Sequence, residues 1–281
     1  MSKAPTCKSL TGSDLPIRTL RNMKREEFIK RILKGERDFS NIRFEPRTFL
    51  SLYEEGFREM DKYLRFYVDE ILEDPVVLND SEFIGVVANE LFLPFVKGER
   101  AYMRRIHLER AYLRGADFKG VNLEGGFLWG VNLWGANLEG AYIQGANLEN
   151  AELGEANLRN AYLWGAYLGT ADLRKADLEG ANLGRAVLRR ANLEGANLKN
   201  ANLAEADLRW ADLKDANLEG ADLEGADLRG AYLNETNLRG VKNLSKAIHL
   251  EEAIFLNVRA SEEDRRVIEE AMKRRPPPVK V

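Results

Sequence analysis

A five-residue repeat runs without a break from residue 101 to residue 240, and it limits what this 281-residue chain can fold into. In each of its 28 frames a small residue is followed two places later by a large apolar one, as in Ala136-Asn137-Leu138-Glu139-Gly140. The small position is Ala in 23 frames, and the large position is Leu in 25. A period of five fits neither an α-helix, with a period of about 3.6, nor a flat strand, with a period of about 2. It predicts a solenoid.

The odd period also predicts where the chain must bend. Residues two apart on an extended chain point to the same side, so Ala136 and Leu138 can both face inward. Because five is odd, the next alanine stays inside only if the chain turns a corner in every frame. The last frame position is Gly in 14 frames and Asn in three more, and both residues tolerate corner backbone angles. We therefore expect a mainly β coil with an apolar interior, whose successive coils pair as parallel strands about 4.8 Å apart.

The residue before the large one is Asn in eleven frames and Asp in seven, so the repeat reads Ala-Asp/Asn-Leu-x-x. This pattern resembles the pentapeptide-repeat family, although Tyr stands at that position in six frames. The resemblance implies a right-handed, four-sided parallel β-helix with four frames per coil, and so about seven coils in 28 frames. The charges give an independent check, because a step of twenty alternates in sign along Lys119, Glu139, Arg159, Glu179, Lys199, Glu219 and Arg239.

The rest of the chain contains helical patterns at both ends of the repeats. Apolar residues at three- and four-residue steps predict helices over 23–35, 47–72 and 81–92, and Ser261 followed by three acids predicts the start of a helix near 262. Phe39 and Phe44 are five apart and predict an isolated piece of the solenoid. The predicted parts are a tail and amphipathic helix (1–37), an isolated pentapeptide-like segment (38–45), a helical insert (46–97), the β-helix (98–257), and a C-terminal helix with a Pro-rich tail (258–281).

The two helical parts each have two interpretations. The insert either covers the open apolar end of the column or binds a partner. The C-terminal helix either caps the last coil or mediates a homodimer through that end. A solenoid needs its ends covered, which favours capping in both cases.

Composition and motifs argue against catalysis. The chain has two histidines, His107 and His249, and neither has a second ligand at metal spacing. No glycine-rich phosphate loop is present, and the convex sides of a solenoid offer no pocket for general-base chemistry. We therefore predict a non-enzymatic protein with no catalytic residues, no cofactor and no metal.

The cysteine count and the hydropathy suggest a location. A single cysteine, Cys7, excludes a disulfide within the chain and favours a reducing compartment. Neither a signal peptide nor an apolar stretch long enough to span a bilayer is visible. The sequence predicts a cytoplasmic protein that has no membrane partner.

Two groups of outward residues are candidates for binding a partner. One is aromatic, and exposed aromatic clusters often mark interfaces: Phe127, Trp129, Trp134, Tyr142, Tyr162, Trp164, Tyr167 and Trp210. The other is a stripe in three consecutive coils: Arg189, Arg209 and Arg229. The alternatives are that the insert covers the rings or that stacked rings stabilise the coils, and that Asp207 and Asp227 neutralise the stripe.

These features lead to three hypotheses of function. The first is a scaffold that binds an unknown protein partner through the outer faces of the β-helix, as a monomer or as a homodimer through a capped end. The second comes from the resemblance, since some quinolone-resistance members mimic DNA and occupy the DNA site of type II topoisomerases. The third is nucleic-acid binding through the arginine stripe. The net charge of −3, and the 16 basic against 20 acidic residues in 101–240, argue against a strongly acidic DNA mimic and against nucleic acid as a partner.

Overall fold

The computed structural model describes residues 20–44, 48, 50 and 55–274 and shows a column of stacked coils. Residues twenty apart are joined by parallel bridges, such as Asn137 with Asn157. The ladder through these residues runs from Asp38 to Arg259 in ten successive bridges. One coil therefore takes twenty residues, as the alternating charges predicted, and the column is longer than the predicted seven coils.

The coil has four sides because four separate ladders follow one another along each twenty residues. We number the sides in chain order by one ladder residue each: side 1 holds Asn137, side 2 Tyr142, side 3 Asn147 and side 4 Glu152. Equivalent residues lie twenty positions away on the same side. Each frame contributes only one residue to its ladder, because the chain bends again two residues after the large residue.

The backbone of a typical frame is hydrogen-bonded both to the neighbouring coils and within the chain. The amide of Leu138 donates to the carbonyl of Asn157 at 2.6 Å, and the amide of Asn157 donates back to Ala136 at 2.9 Å. Within the chain, the amide of Ala141 donates to Leu138 at 3.0 Å and closes the turn. The alanines and leucines of the frames are buried with almost no exposed surface, so they form one continuous apolar interior.

The corners lie at the last frame position, as the odd period predicted. Gly140 has φ +64, and the equivalent residues of the other frames also have positive φ. This left-handed conformation suits glycine and costs other residues about 1–2 kcal/mol. Several corners nevertheless hold larger residues, among them Arg185, Arg190 and Trp210.

The solenoid resumes earlier than the sequence predicted. The predicted helix over 81–92 is wrong, because Val77, Glu82, Val87 and Phe92 each bridge the residue twenty positions later. Residues 76–97 thus belong to the column and not to a helical insert. The frame step is kept there, but the large position holds Ala88 and Gly98 in place of leucine.

The segment around residue 40 forms part of the first rung. Strand β1 (Arg21–Asn22) pairs in parallel with β2 (Ile42–Arg43), and Arg43 in turn bridges Glu82. The hydroxyl of the buried Ser81 donates to the carbonyl of Phe39 at 3.0 Å and accepts from the amide of Ile42 at 3.1 Å. A serine at the small position therefore fixes this isolated segment on the column.

Three helices lie at the N-terminal end. Helix α1 (Arg25–Ile32) buries Phe28, Ile29 and Ile32, and it packs against α2 (Glu55–Phe66), which is followed by α3 (Val68–Glu73). The ring of Phe28 lies 4.7 Å from that of Phe39 and 5.3 Å from that of Phe44. Phe28 also lines an apolar cavity of about 30 Å³ inside the first coils, so α1 covers their open end.

At the C-terminal end the five-residue step is lost. Short 3₁₀ turns at Leu244–Lys246 and Leu250–Glu252 lengthen the frames, so Ile248 bridges a residue 21 positions earlier. Strand β4 (Ile254–Leu256) still pairs with β3 (Tyr232–Asn234). Helix α4 (Glu262–Lys273) then packs on the 3₁₀ turns and buries Ile268 and Ala271. None of the helices in the described part of the chain has the length and apolar character that crossing a membrane requires.

Candidate interaction surface

The polar side chains of side 1 pair with one another between successive coils. Its alternating charges form ion pairs between successive coils, Lys119 with Glu139 at 3.1 Å and Lys199 with Glu219 at 2.9 Å. The hydrogen bond and charge of Lys199 hold the pKa of Glu219 below its ordinary value. Asparagine side chains form a second ladder beside them, in which Asn157 Nδ2 donates to Asn137 Oδ1 at 3.1 Å. Side 1 therefore offers little unsatisfied chemistry to a partner.

Some of the predicted partner-binding aromatics are part of the column's packing. On side 2, Tyr142 and Tyr162 stack with their ring centres 5.0 Å apart and their planes nearly parallel. Both rings are half-buried. These two tyrosines therefore match the alternative in which stacked rings stabilise the coils.

Three tryptophans pack over glycines of the next coil. Trp134, Trp164 and Trp210 are each followed twenty residues later by a glycine, and a Cβ atom built there would meet the indole ring within 3.1 Å. These glycines are Gly154, Gly184 and Gly230. Each ring therefore lies over the neighbouring coil in the space that the missing side chain leaves. This pairing is visible in the sequence as a glycine twenty residues after each of these tryptophans.

Arginine side chains cover the indoles. Arg185 lies 5.6 Å from the ring centre of Trp164, and Arg189 lies 4.7 Å from that of Trp210. Trp129, which has no glycine on the next coil, is half-buried beside Arg110 at 4.8 Å. Trp134 is half-buried on side 4, beyond the corner from side 3.

Side 3 brings the exposed aromatics and the arginine stripe together. Phe127 stacks on His107 with ring centres 4.3 Å apart, yet 43% of its surface remains exposed. Tyr167 is 49% exposed, and Trp210 at the following corner is 43% exposed. Trp164 is 48% exposed and lies just before the Gly165 corner that leads onto side 3.

The three arginines of the stripe differ in their partners. Arg209 donates to Asp207 at 2.5 Å, and Arg229 lies 3.4 Å from Glu252. Burial pushes the pKa of Asp207 upward, but the hydrogen bonds from Arg209 outweigh it and leave the pKa below its ordinary value. Arg189 is exposed and has no carboxylate within 4.0 Å among the described residues. In the described part of the chain, Arg189 is thus the arginine of the stripe without a contacting carboxylate, although its charge helps to lower the pKa of Asp207.

Two other groups of described residues are candidates for a site. His249, Glu251 and Glu252 place one potential metal-ligand atom each within 4.8 Å of one another. Arg229 donates to His249 Nε2 at 2.6 Å and lies beside Glu252, so a cation already occupies this cluster. We assign no metal to it. At the junction of α2 and α3, Phe66 is 79% and Leu72 is 56% exposed, which leaves a second apolar surface.

Comparison with solved structures finds similar repeat proteins. HetL from the cyanobacterium Nostoc sp. strain PCC 7120, involved in heterocyst differentiation regulation, is 26% identical over 85% of this chain and 94% of its own, with a TM-score of 0.38. A pentapeptide repeat protein of the Arabidopsis thaliana thylakoid lumen is 33% identical over 35% of this chain and 68% of its own, with a TM-score of 0.34. QnrB1, a plasmid-mediated fluoroquinolone resistance protein, is 19% identical over 65% of this chain and 97% of its own, with a TM-score of 0.39.

All three TM-scores lie below 0.5, so the assignment rests on the repeats themselves. No curated protein matches the chain. The family model of pentapeptide repeats matches overlapping segments that together cover residues 99–248, which are 150 of the 281 residues. This chain therefore belongs to the pentapeptide repeat family.

Proposed function

We propose that this protein is a non-enzymatic scaffold that binds a protein partner through side 3 of the column. The observation that carries the proposal is the exposure of Phe127, Tyr167 and Trp210 along side 3. Tyr167 and Trp210 lie one coil before and one coil after the rung of Arg189, whose guanidinium has no carboxylate within 4.0 Å among the described residues. Tyrosine, tryptophan and arginine are enriched at the centres of protein interfaces, and a few such residues supply most of the binding energy. Side 1, by contrast, pairs its own charges and amides.

The DNA-mimic hypothesis has less support. Such a mimic needs a strongly acidic column, whereas this column carries 16 basic residues against 20 acidic ones in 101–240. Its acids are also neutralised locally, as Lys119 neutralises Glu139 on side 1. We therefore expect no inhibition of DNA supercoiling by gyrase at micromolar protein, and potent inhibition would replace the scaffold proposal by the mimic.

The proposal is tested by two matched pairs of substitutions. Partners are captured from the native host on wild-type protein, identified by mass spectrometry, purified and titrated against each variant. Phe127→Ser with Tyr167→Ser is expected to weaken binding at least about tenfold, because each removes an exposed ring from side 3. Phe66→Ser with Leu72→Ser removes a similar apolar surface from the α2–α3 junction and is expected to leave the dissociation constant within about threefold.

The outcomes show whether side 3 or the α2–α3 junction binds the partner. Both pairs alter exposed side chains, so the thermal midpoint of each variant serves as the control for folding. Loss of binding only in the α2–α3 pair would move the site to the helices, which is the alternative interpretation of the insert. A partner that binds both variants as tightly as the wild type, or no partner at all, would contradict an interaction role for side 3.

A further inference from the structure

The rung formed by residues 185–190 is rich in arginine. It crosses side 3 and holds three exposed arginines in six residues, Arg185, Arg189 and Arg190. Arg185 and Arg190 are the two corner residues, with φ +57 and +58, and both are exposed. Val187, the ladder residue between them, bridges Tyr167 in the coil before.

These three arginines differ in their counter-charges, and the charge of Arg189 helps to lower the pKa of Asp207 without an ion-pair contact. Arg185 pairs with Glu205 at 2.8 Å. Neither Arg189 nor Arg190 has a carboxylate within 4.0 Å in the described part of the chain. Both instead lie near Trp210, with guanidinium carbons 4.7 Å and 5.7 Å from its ring centre. The pair is therefore held by an aromatic ring, with its hydrogen-bond donors available.

The neighbouring rung carries no charged residue of its own beside these cations. The residues one coil before Arg189 and Arg190 are Gly169 and Thr170, which carry no charge. Next to them, Tyr167 exposes about half of its surface. The two arginines thus border a partly aromatic area that contains one carboxylate, that of Glu149, whose side chain lies over Gly169.

The charged stretch is short, which decides the kind of ligand. Two coils before Arg189 the equivalent position holds Glu149, and one coil after Val187 the ladder position holds Asp207. A nucleic-acid backbone laid along the column would bring its phosphates against these carboxylates. A protein needs to place only one or two carboxylates on the rung, and guanidinium binds carboxylate through two parallel hydrogen bonds.

From this arrangement we propose that the rung binds an acidic protein segment, with carboxylates on Arg189 and Arg190 and an adjacent aromatic or aliphatic side chain against Tyr167 and Trp210. The inference rests on the proposed function and specifies the partner's chemistry. It requires no change in the column, because the arginines and rings are already exposed.

Selection from a phage-displayed library of random 16-residue peptides on the immobilised full-length protein tests this directly. Peptides that bind are expected to be enriched in Asp and Glu next to an aromatic or aliphatic residue. Synthetic copies of them should bind Arg189→Gln with Arg190→Gln at least about 30-fold more weakly, because both charge-assisted contacts are lost. Replacement by Lys at both positions should restore only part of the affinity, because ammonium lacks the bidentate geometry.

The matched control removes the same two charges elsewhere. Arg114→Gln with Arg239→Gln changes exposed arginines on sides 4 and 1, and we expect the affinity to stay within about threefold of the wild type. If this control weakens binding as much as the Arg189 and Arg190 pair, the effect is one of net charge and the proposed site is wrong.

The remaining outcomes separate the two proposals. Binders that lack acidic residues, tolerate the Gln pair and are lost on Phe127→Ser with Tyr167→Ser would overturn the charge inference and keep the interaction role of side 3. Binders insensitive to every side 3 substitution, or no binders, would overturn both. Binding of a fluorescent 20-residue oligothymidylate that the Gln pair abolishes would assign the rung to single-stranded nucleic acid instead.

Discussion

Leu178→Asp is expected to abolish cooperative folding of the column. Leu178 is fully buried in the middle of the apolar interior, between coils whose inward residues are alanine and leucine. A leucine truncated in a core costs about 2–5 kcal/mol, and an unpaired carboxylate in an apolar interior costs several more. Since a typical domain has a free energy of unfolding of about 5–15 kcal/mol, this single change removes most of the stability. Urea unfolding followed by circular dichroism checks it.

Two control substitutions test whether the effect of Leu178→Asp comes from the buried position of Leu178. Leu178→Ile nearly conserves the side-chain volume and should cost less than about 1.5 kcal/mol. Glu179→Asp places aspartate on the neighbouring residue, which is half-buried on the outer surface of side 1 beside Arg159, and should change the stability by less than about 1 kcal/mol. A Leu178→Asp protein that unfolds at the same urea concentration as the Glu179→Asp protein would show that the interior is open to water.

Phe28→Ala is expected to destabilise the protein by about 3–5 kcal/mol, as large-to-small changes at buried phenylalanines do. Its ring covers the first coils, contacts Phe39 and Phe44, and borders the small apolar cavity. Removing the ring enlarges that cavity at the end where the column lacks a neighbouring coil. Because a solenoid is stabilised by contacts between neighbouring repeats, the loss should appear first in the nearest coils. Chemical unfolding gives the size of the effect, and native-state hydrogen exchange gives its position.

The matched control is Phe66→Ala, which removes the same side chain from the exposed α2–α3 junction. We expect it to change stability by less than about 0.5 kcal/mol. In Phe28→Ala, amide protection should fall around residues 76–100 and remain around residues 160–240. Equal loss of protection along the whole column, or no loss, would contradict a capping role for α1.

The regular part of the fold follows from its sequence for a definite physical reason. An odd period forces one corner per frame, so the inward pair Ala136 and Leu138 and the corner Gly140 could all be located before the structure was known. The alternation from Lys119 to Arg239 also gave the twenty-residue coil. Each of these signals is local and repeated, and the repetition removes the ambiguity of any single frame.

The first coils could not be identified in the same way because their side chains leave the pattern. The small position holds Val76, Ser81, Val86 and Leu91, and the large position includes Gly98. A Cβ at Gly98 would lie 2.6 Å from the Phe118 ring, so phenylalanine in the next coil fills the space of the missing leucine. The outward ladder positions Val87 and Phe92 are apolar as well, and this produces an apolar run from 83 to 96 that also fits an amphipathic helix.

The candidate surface was only partly predictable. Outward positions follow from the repeat, so Tyr167 and Arg189 could be placed on one side from the sequence. The states of the side chains depend on neighbours twenty residues away, such as Gly184 beneath Trp164 and Glu205 beside Arg185. Arg190 is a corner residue next to the predicted stripe, and the twenty-residue coil places it one coil before Trp210, but the contact of its guanidinium with the indole ring is visible only in the structure.

Engineered disulfides test the twenty-residue coil most directly. In a Cys7→Ser background, Asn137→Cys with Asn157→Cys places two cysteines at bridged positions of one ladder, where strands lie about 4.8 Å apart and a disulfide needs Cα atoms about 4.4–6.8 Å apart. Asn137→Cys with Tyr162→Cys separates them by one more frame and puts them on different sides. We predict that the first pair oxidises to an intramolecular disulfide that raises the thermal midpoint, and that the second stays reduced. Ready oxidation of the second pair and not the first would contradict the four-sided column.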